Sequence, residues 1–319
     1  MFKKISAALL FALTTCLAHG QQLPLNTQFL ENAFLLNPAL AGDDARAEIT
    51  ASARLQWLNI HEAPMTQALN FKTPLEGKNL GLGISVINDM TGPTSLTGIY
   101  GGLAYKIRFV KQDAYRYSQF YNANTLSIGI SAGIVHYRLR SSELVLENPD
   151  DRAFIDRNDA VIMPDAGVGA AYFHKYFFVG FSIPQVLSLN LHYREFDHRT
   201  VITREQHYYS VAGGKIPLAK DKVVIEPTLW VKKAVGTPFN ADFDIRVNVQ
   251  DIGWLGVGYR SSKDILIGGG LKVEFFKLGY TYDMSISKIQ SFLGSSHDFT
   301  IGYIFKQQHE KSLHMKRRR

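Results

Sequence analysis

Between residues 239 and 250 apolar and polar side chains alternate without a break. Phe239, Ala241, Phe243, Ile245, Val247 and Val249 fall on one phase, and Asn240, Asp242, Asp244, Arg246, Asn248 and Gln250 on the other. A period of two puts alternate residues on opposite faces of an extended strand, and no helix keeps such a pattern on one side. The same alternation runs from Ala47 to Trp57, where Ile49, Ala51, Ala53 and Leu55 oppose Glu48, Thr50, Ser52, Arg54 and Gln56, and again from Asp298 to Phe305. Ending each run at clusters of Gly, Pro, Asn and Asp predicts fourteen strands, near 47–57, 64–73, 80–89, 95–109, 124–138, 165–174, 176–183, 206–217, 222–233, 239–250, 252–260, 263–274, 275–283 and 296–305.

The spacing of these strands decides between a soluble sandwich and a membrane barrel. An even count suits a bacterial barrel with both termini in the periplasm, short inner turns and longer outer loops. If strand one runs outward, segments 139–164, 184–205 and 284–295 are the long outer loops, while His174-Lys175-Tyr176, Pro217 to Asp221 and Gln250-Asp251 are short inner turns. One inner connection, 110–123, is of moderate length and carries Tyr115, Tyr117, Phe120 and Tyr121, suited to a lipid boundary. After Leu13 no run approaches the roughly 20 apolar residues of a spanning helix, and mean hydropathy is −0.07, as expected when lipid-facing residues hide in alternation. The expected fold is therefore all-β: a transmembrane outer-membrane β-barrel of about fourteen antiparallel strands. The aromatic content of 12% supports this over a sandwich.

The ends of the chain divide it further. Lys3-Lys4, an apolar run from Ile5 to Leu13 and Ala18-His19-Gly20 read as a signal peptide over 1–20, giving a mature start at Gln21. Cys16 offers the alternative of a lipoprotein cysteine; it is the sole cysteine, so cleavage after Gly20 removes disulfides and thiol chemistry from the mature protein. Residues 21–46 form a periplasmic or plug segment, 47–305 the barrel and 306–319 a basic periplasmic tail. A fourteen-stranded barrel is too wide for wall side chains alone to fill, so the N-terminal segment and loop 139–164 are candidates to occupy or gate it. The net charge of +7 resides in Lys3, Lys4 and the tail, leaving a neutral body that offers nucleic acid no basic face.

Few positions suggest chemistry. Gly129-Ile130-Ser131-Ala132-Gly133 spells a nucleophile elbow, but that motif needs a strand-to-helix turn and Ser131 lies within an alternating run. Asp242 and Asp244 share a luminal face and could work as an acid–base pair, or simply pair with neighbours such as Arg246. Glu143, Glu147, Asp150, Asp151, Asp156 and Asp159, with Asn148 and Asn158 among Arg140, Arg152 and Arg157, match no calcium-loop spacing and read as a solvated loop. His192, His198 and His207 form no recognised metal motif. Gly213-Gly214-Lys215-Ile216 lacks the requirements of a phosphate loop, and Gly268-Gly269-Gly270 reads as a bend in a curved sheet. Lys316-Arg317-Arg318-Arg319 is either a docking arm for an acidic partner or a solvated end. Neither catalysis nor a cofactor is expected.

One set of residues carries a resemblance. Gln28-Phe29 with Asn37-Pro38-Ala39-Leu40-Ala41-Gly42, then Arg54-Leu55-Gln56-Trp57 and Pro64-Met65-Thr66, followed by Gly81-Leu82-Gly83, Asn88 to Pro93 and the Tyr100 to Tyr105 strand, resembles the PorP/SprF membrane proteins of the type IX secretion system of Bacteroidetes. The N-terminal third carries the match in letters and the rest in layout. Leu58-Asn59-Ile60 departs from the glycine that often follows the Trp. The resemblance implies a non-catalytic outer-membrane component that supports export or surface attachment of large proteins such as adhesins. It implies partnership with periplasmic ring-complex lipoproteins and outer-membrane lipids, in some members with gliding motility. Asn37, Pro38, Gly42, Arg54, Gln56, Trp57 and Pro64 are the motif positions it marks, without assigning them roles. The rival reading is an outer-membrane transporter for hydrophobic small molecules of the fatty-acid-transporter kind, which also joins fourteen strands to an N-terminal plug with an Asn-Pro-Ala element. Arg54 and Gln56 are expected to face inward, with Trp57 in the outer aromatic belt.

Overall fold

The computed structural model describes residues 28, 31–44, 46–75, 78–109, 124–140, 158–187, 189–192, 201–219, 222–250, 252–288 and 290–306. The signal peptide with Cys16, the 110–123 connection, His198, and the tail with Lys316, Arg317, Arg318 and Arg319 lie outside the described residues, as do Glu143, Glu147, Asp150, Asp151 and Asp156.

Seven strands run from the first to the middle of the wall: β1 (Glu48–Leu55), β2 (Met65–Leu75), β3 (Leu80–Thr91), β4 (Thr94–Arg108), β5 (Thr125–Arg140), β6 (Asn158–Phe173) and β7 (Phe177–Ile183). A two-stranded hairpin, β8 (Leu189–His192) and β9 (Val201–Arg204), forms a separate sheet. The wall resumes with β10 (His207–Gly214), β11 (Ile216–Leu218), β12 (Val223–Ala234), β13 (Asn240–Val249), β14 (Gly253–Arg260), β15 (Asp264–Val273), β16 (Phe276–Ser285) and β17 (Ser296–Ile304). Each strand pairs antiparallel with its neighbours. β1 meets β17, with Glu48 opposite Ile304, and β10 bonds both β7 and β12, so the sheet closes. β10 and β11 share one place in the ring, both pairing with β12, which makes a closed barrel of fourteen strands.

Burial inverts the order of a water-soluble protein. Along β5 the outward Ile128, Ile130 and Ile134 are 50%, 59% and 59% exposed, while the inward Thr125 and Ser127 are buried. Along β1 the inward Glu48, Thr50 and Arg54 are buried, with Ile49, Ala51 and Ala53 on the outer face. A wall apolar outside and polar inside fits a bilayer. Aromatic rings gather at the end of the barrel that holds both termini of the wall: Phe71, Tyr303, Phe305 and Phe276 on one side, Phe109, Tyr172 and Phe177 on another. Among the described residues no helix is long and apolar enough to cross a membrane.

Four expectations are corrected in detail. Loop 139–164 is shorter than expected, because β5 continues through Arg140 and β6 begins at Asn158, which places Asn158 and Asp159 in a strand. Pro164 immediately precedes the strand expected from 165. It sits where β6 pairs with β5 but not with β7, whose register begins at Val168, and a strand with one neighbour tolerates a missing N–H. Loop 184–205 contains the β8–β9 hairpin, and loop 284–295 contains the end of β16 and a helical turn, α2 (Gln290–Leu293). Pro217, expected in a turn, pairs with Val224 in β11.

Lipid contact of the outward face generates a test. Ile130→Arg, near the middle of β5, should cost roughly 2–4 kcal/mol of folding stability in bilayers, the range for a cation at the midplane. An exposed site on a soluble protein would register under about 0.5 kcal/mol. Equilibrium unfolding from phospholipid vesicles measures the difference.

Candidate functional site

Residues 28 and 31–44 lie inside the barrel. A single helical turn, α1 (Ala33–Leu36), leads into a three-residue 3-10 turn at Pro38–Leu40. So short a segment has little stability of its own and takes its shape from the wall. The ring of Phe34 occupies the space left by Gly83 and Gly102 on β3 and β4; a Cβ on Gly102 would come within 2.8 Å of the ring. The backbone at Pro38-Ala39 lies against Gly129 on β5, and that of Ala41-Gly42 against Gly81. Ser127 Oγ donates to the Ala39 carbonyl at 2.6 Å, and Ser182 Oγ to that of Leu36 at 2.7 Å.

The Asn-Pro-Ala-Leu-Ala-Gly run now has a physical account. Asn37 caps the 3-10 turn by accepting from the Ala39 N–H at 2.9 Å. Its Nδ2 donates to the carbonyls of Ala170 and Phe181 at 3.3 and 3.4 Å, joining the plug to β6 and β7. Pro38 opens the turn, where its fixed φ suits the geometry. Gly42 has φ +56°, with the carbonyl of Thr73 so close that a Cβ would collide. On the same segment, Asn32 Oδ1 accepts from Asn70 Nδ2 at 3.0 Å.

Charged pairs secure the plug on the other sides. Glu31 lies 3.0 Å from both Arg246 of β13 and Lys277 of β16. Lys277 also reaches Glu48 at 2.8 Å, and Lys72 reaches Asp43 at 2.7 Å. Arg246 stacks on Trp254 with its Cζ 3.8 Å from the ring centroid. Burial pushes the Glu31 carboxyl up, but Lys277 and Arg246 outweigh burial and hold it at about 2.

A second set of charges crosses the wall farther from the chain termini. Lys232 meets Asp242 at 2.8 Å, Asp242 meets Arg260 at 3.0 Å, Arg260 meets Asp283 at 2.7 Å, and Asp283 meets Arg54 at 2.8 Å. Arg54 also lies 3.6 Å from Asp298, whose side chain accepts from the Gln28 N–H at 3.2 Å and whose carbonyl accepts from Gln28 Nε2 at 2.8 Å. These groups are buried, so each charge relies on its partners, and removing one member leaves an uncompensated charge. Asp242 therefore pairs with Lys232 and Arg260. Arg246, the neighbour expected for the Asp242 and Asp244 pair, is committed to the plug.

The motif positions divide between two places. Asn37, Pro38, Gly42 and Arg54 meet in the lumen. Gln56, Trp57 and Pro64 lie beyond the outer ends of β1 and β2, where the buried Gln56 donates its N–H to the Pro64 carbonyl at 2.9 Å. Trp57 is 37% exposed and has φ +51°. Ser131 lies mid-strand between Gly102 and Gly167 and lines a cavity of about 70 Å³ above the plug. His207 Nδ1 lies 3.0 Å from the Glu205 carbonyl. Sequence reasoning missed the ladder partners Lys232, Arg260, Asp283 and Asp298, although their charge on the luminal phase of their strands was the available signal.

The outer mouth narrows as well. After β7 the chain turns inward, burying Gln185, and the Val186 N–H donates to Ala166 at 2.8 Å. Space remains beside the plug, in voids of about 270 and 230 Å³ that share Glu31, Glu226, Arg246 and Lys277 in their walls. The arrangement is a stoppered tube rather than an open channel among the described residues.

Two measurements test the plug. Gly129→Val places a side chain into the Pro38-Ala39 backbone; the barrel should still form, while the N-terminal segment becomes protease-sensitive and single-channel conductance in planar bilayers rises. The lowered Glu31 carboxyl stabilises docking fully above its ordinary value of 4.5, and that contribution drains away as pH falls from there toward about 2. Protection of the plug from proteolysis should hold from pH 8 to 5 and decline progressively as pH falls from about 4.5 toward about 2, and Glu31→Gln should weaken the plug at pH 7 and flatten its pH response.

With this geometry in hand, similarity to known proteins can be placed. The family described as type IX secretion system membrane protein PorP/SprF matches residues 18–303. No curated protein matches the chain in sequence. Among solved structures, the CymD monoaromatic hydrocarbon channel is 10% identical with a TM-score of 0.49, over 88% of this chain and 94% of that one. The P. putida toluene transporter TodX is 9% identical with a TM-score of 0.48, over 87% and 95%. KdgM porin is 10% identical with a TM-score of 0.38, over 81% and 99%.

Proposed function

Because the chain belongs to the PorP/SprF family of type IX secretion system membrane proteins, we propose that it supports the export or surface attachment of large proteins such as adhesins without carrying them through its own lumen. The protein is an outer-membrane barrel and a membrane component of that secretion system. The observation that carries the finer reading is the stoppered lumen: a plug fixed to β2 through β7 and to β13, β16 and β17 leaves no passage for a folded polypeptide among the described residues. Cargo is then held at the rim or handed on by a neighbour. A signal peptide over 1–20 delivers the chain, and the periplasmic face, including the basic tail Lys316 to Arg319, meets ring-complex lipoproteins. The role is non-enzymatic, and a link to gliding motility belongs to the same reading.

A transporter for hydrophobic small molecules would require an apolar route inward. The luminal positions instead carry the Lys232–Asp242–Arg260–Asp283–Arg54 ladder, which argues against that alternative.

Deletion of the gene, followed by surface proteomics, should remove one or a few large surface proteins while leaving other outer-membrane proteins unchanged. A pull-down of tagged protein from detergent-solubilised outer membrane should recover periplasmic lipoproteins or a large adhesin. Recovery of an isolated barrel with an intact surface proteome would defeat the proposal.

A further inference from the structure

The outward phase of the wall is mainly apolar, and one facet departs from it. Leu69 of β2, Val86 of β3, Ile99 of β4 and Ile134 of β5 lie opposite one another in a single row, all of them exposed. One step nearer the outer end, the same strands present Gln67, Asn88, Thr97 and His136. The change from apolar to polar is complete between the two rows. Beyond them Ser95 of β4 faces Arg138, and Arg140 ends the outward phase of β5. Around β14 to β16 the wall makes no such change, because Tyr259, Ile265 and Met284 keep the outward phase apolar to the outer strand ends.

Charge on this facet has one sign. Among the described residues the outward phase of the wall holds no carboxylate, so the wall itself supplies no neutralising partner on the lipid side for His136, Arg138 and Arg140. His136 and Arg138 are exposed, and among the described residues neither forms a hydrogen bond or an ion pair. Arg140 reaches toward the Gly92 carbonyl at 3.5 Å, near Glu62 of the β1–β2 loop, and so belongs partly to the rim. The other outward basic groups are engaged: Lys233 by the Thr237 carbonyl and the Phe239 ring, and His297 by the Tyr280 hydroxyl. The Thr97 hydroxyl donates to Asn88 Oδ1 at 2.9 Å, which leaves the Asn88 amide nitrogen as a donor.

We propose that Arg138, with His136 and Asn88 beside it, binds the phosphate headgroup of a phosphorylated lipid of the outer leaflet, whose acyl chains lie along Ile134, Ile99 and Val86. A guanidinium at the edge of hydrocarbon costs little when its head reaches the polar interface, and its planar fork matches a phosphate through two parallel bonds. A neutral imidazole still carries one N–H donor, so His136 contributes in either protonation state. Neighbouring strands lie about 4.8 Å apart, which puts Asn88 about 10 Å from His136, within the span of one sugar-phosphate headgroup. The apolar row directly beneath favours an anion that carries hydrocarbon over free phosphate. The inference stands on the outer face of the wall and is independent of the secretion role.

The test is native mass spectrometry of the full-length protein in detergent micelles, titrated with phosphorylated lipid A, with the same lipid after removal of its phosphates, and with inorganic phosphate. Phosphorylated lipid A should bind saturably, the dephosphorylated lipid several-fold more weakly, and inorganic phosphate at equal concentration should not displace it. Arg138→Gln should weaken lipid A binding about fivefold, the effect of one basic side chain at an anionic surface. Arg138→Lys should fall between, since it keeps the charge and loses the fork. Lys233→Gln, which changes the other outward basic strand residue, should leave binding unchanged. Equal affinity for the two lipids, or an equal loss in Lys233→Gln, would overturn the site. Displacement by inorganic phosphate would assign the facet to a soluble anion, and loss of a co-purifying protein from Arg138→Gln with lipid A affinity intact would assign it to a protein partner; either result defeats the proposal. Should Arg138→Gln fail to fold, as heat-modified gel mobility would reveal, the contrast between the two lipids on the wild type decides the matter, and its absence counts against the lipid.

Discussion

A peptide group in hydrocarbon has no water to bond, and leaving it unpaired costs several kcal/mol. That penalty dictates the closed ring of strands, because an open sheet would present a row of such groups to lipid. Closure at β1–β17 and β10–β12 satisfies the wall and forces the side chains to sort by face. The outward phase becomes apolar and exposed. The inward phase, shielded from lipid, becomes the place where charge can reside. Fourteen strands then enclose more space than their own side chains fill, and the plug with its glycine seats and ion pairs follows from that surplus.

The two sides of the plug are held by different physics. Toward β3 through β7 the contact is steric: Phe34, Pro38 and Ala39 fill hollows that exist because Gly83, Gly102 and Gly129 have no side chains. Toward β13 and β16 the contact is electrostatic, through Glu31 to Arg246 and Lys277. Close packing resists displacement over short distances and is indifferent to salt, whereas ion pairs respond to pH and to competing charge. The voids of about 270 and 230 Å³ border Glu31 and its two cationic partners, and the larger one extends to Ala171 of β6 and Phe178 of β7.

Much of the wall was legible in the order of residues. Strict alternation in 239–250 and 298–305 marks strands because a period of two has one structural meaning, and the count of fourteen survives in the closed ring. Strand ends were harder to read, for physical reasons. Pro164 reads as a stop, yet it falls on the stretch of β6 that lacks a second neighbour. Lys215 splits one wall position into β10 and β11, which alternation alone does not register. The Asn37 to Gly42 run stood out as a motif, but its work depends on Ala170, Phe181, Ser127 and Gly129, more than 80 residues away. Likewise Asp242 was visible as a luminal charge, while its partner Arg260 follows only from the register that sets Asp242 opposite Arg260. Long-range register is information that a single chain read in order does not display.

The bonds between Gln28 and Asp298 join a residue that precedes the first wall strand to one in the last. They lie at the seam where β17 pairs with β1 and bind the plug to the strand that completes the ring. The N-terminal segment is thereby fastened to the seam of the wall as well as to its interior. The Gln28 contact acts as a clasp across that seam, so that whatever loosens the plug there also loosens its hold on the closing strand.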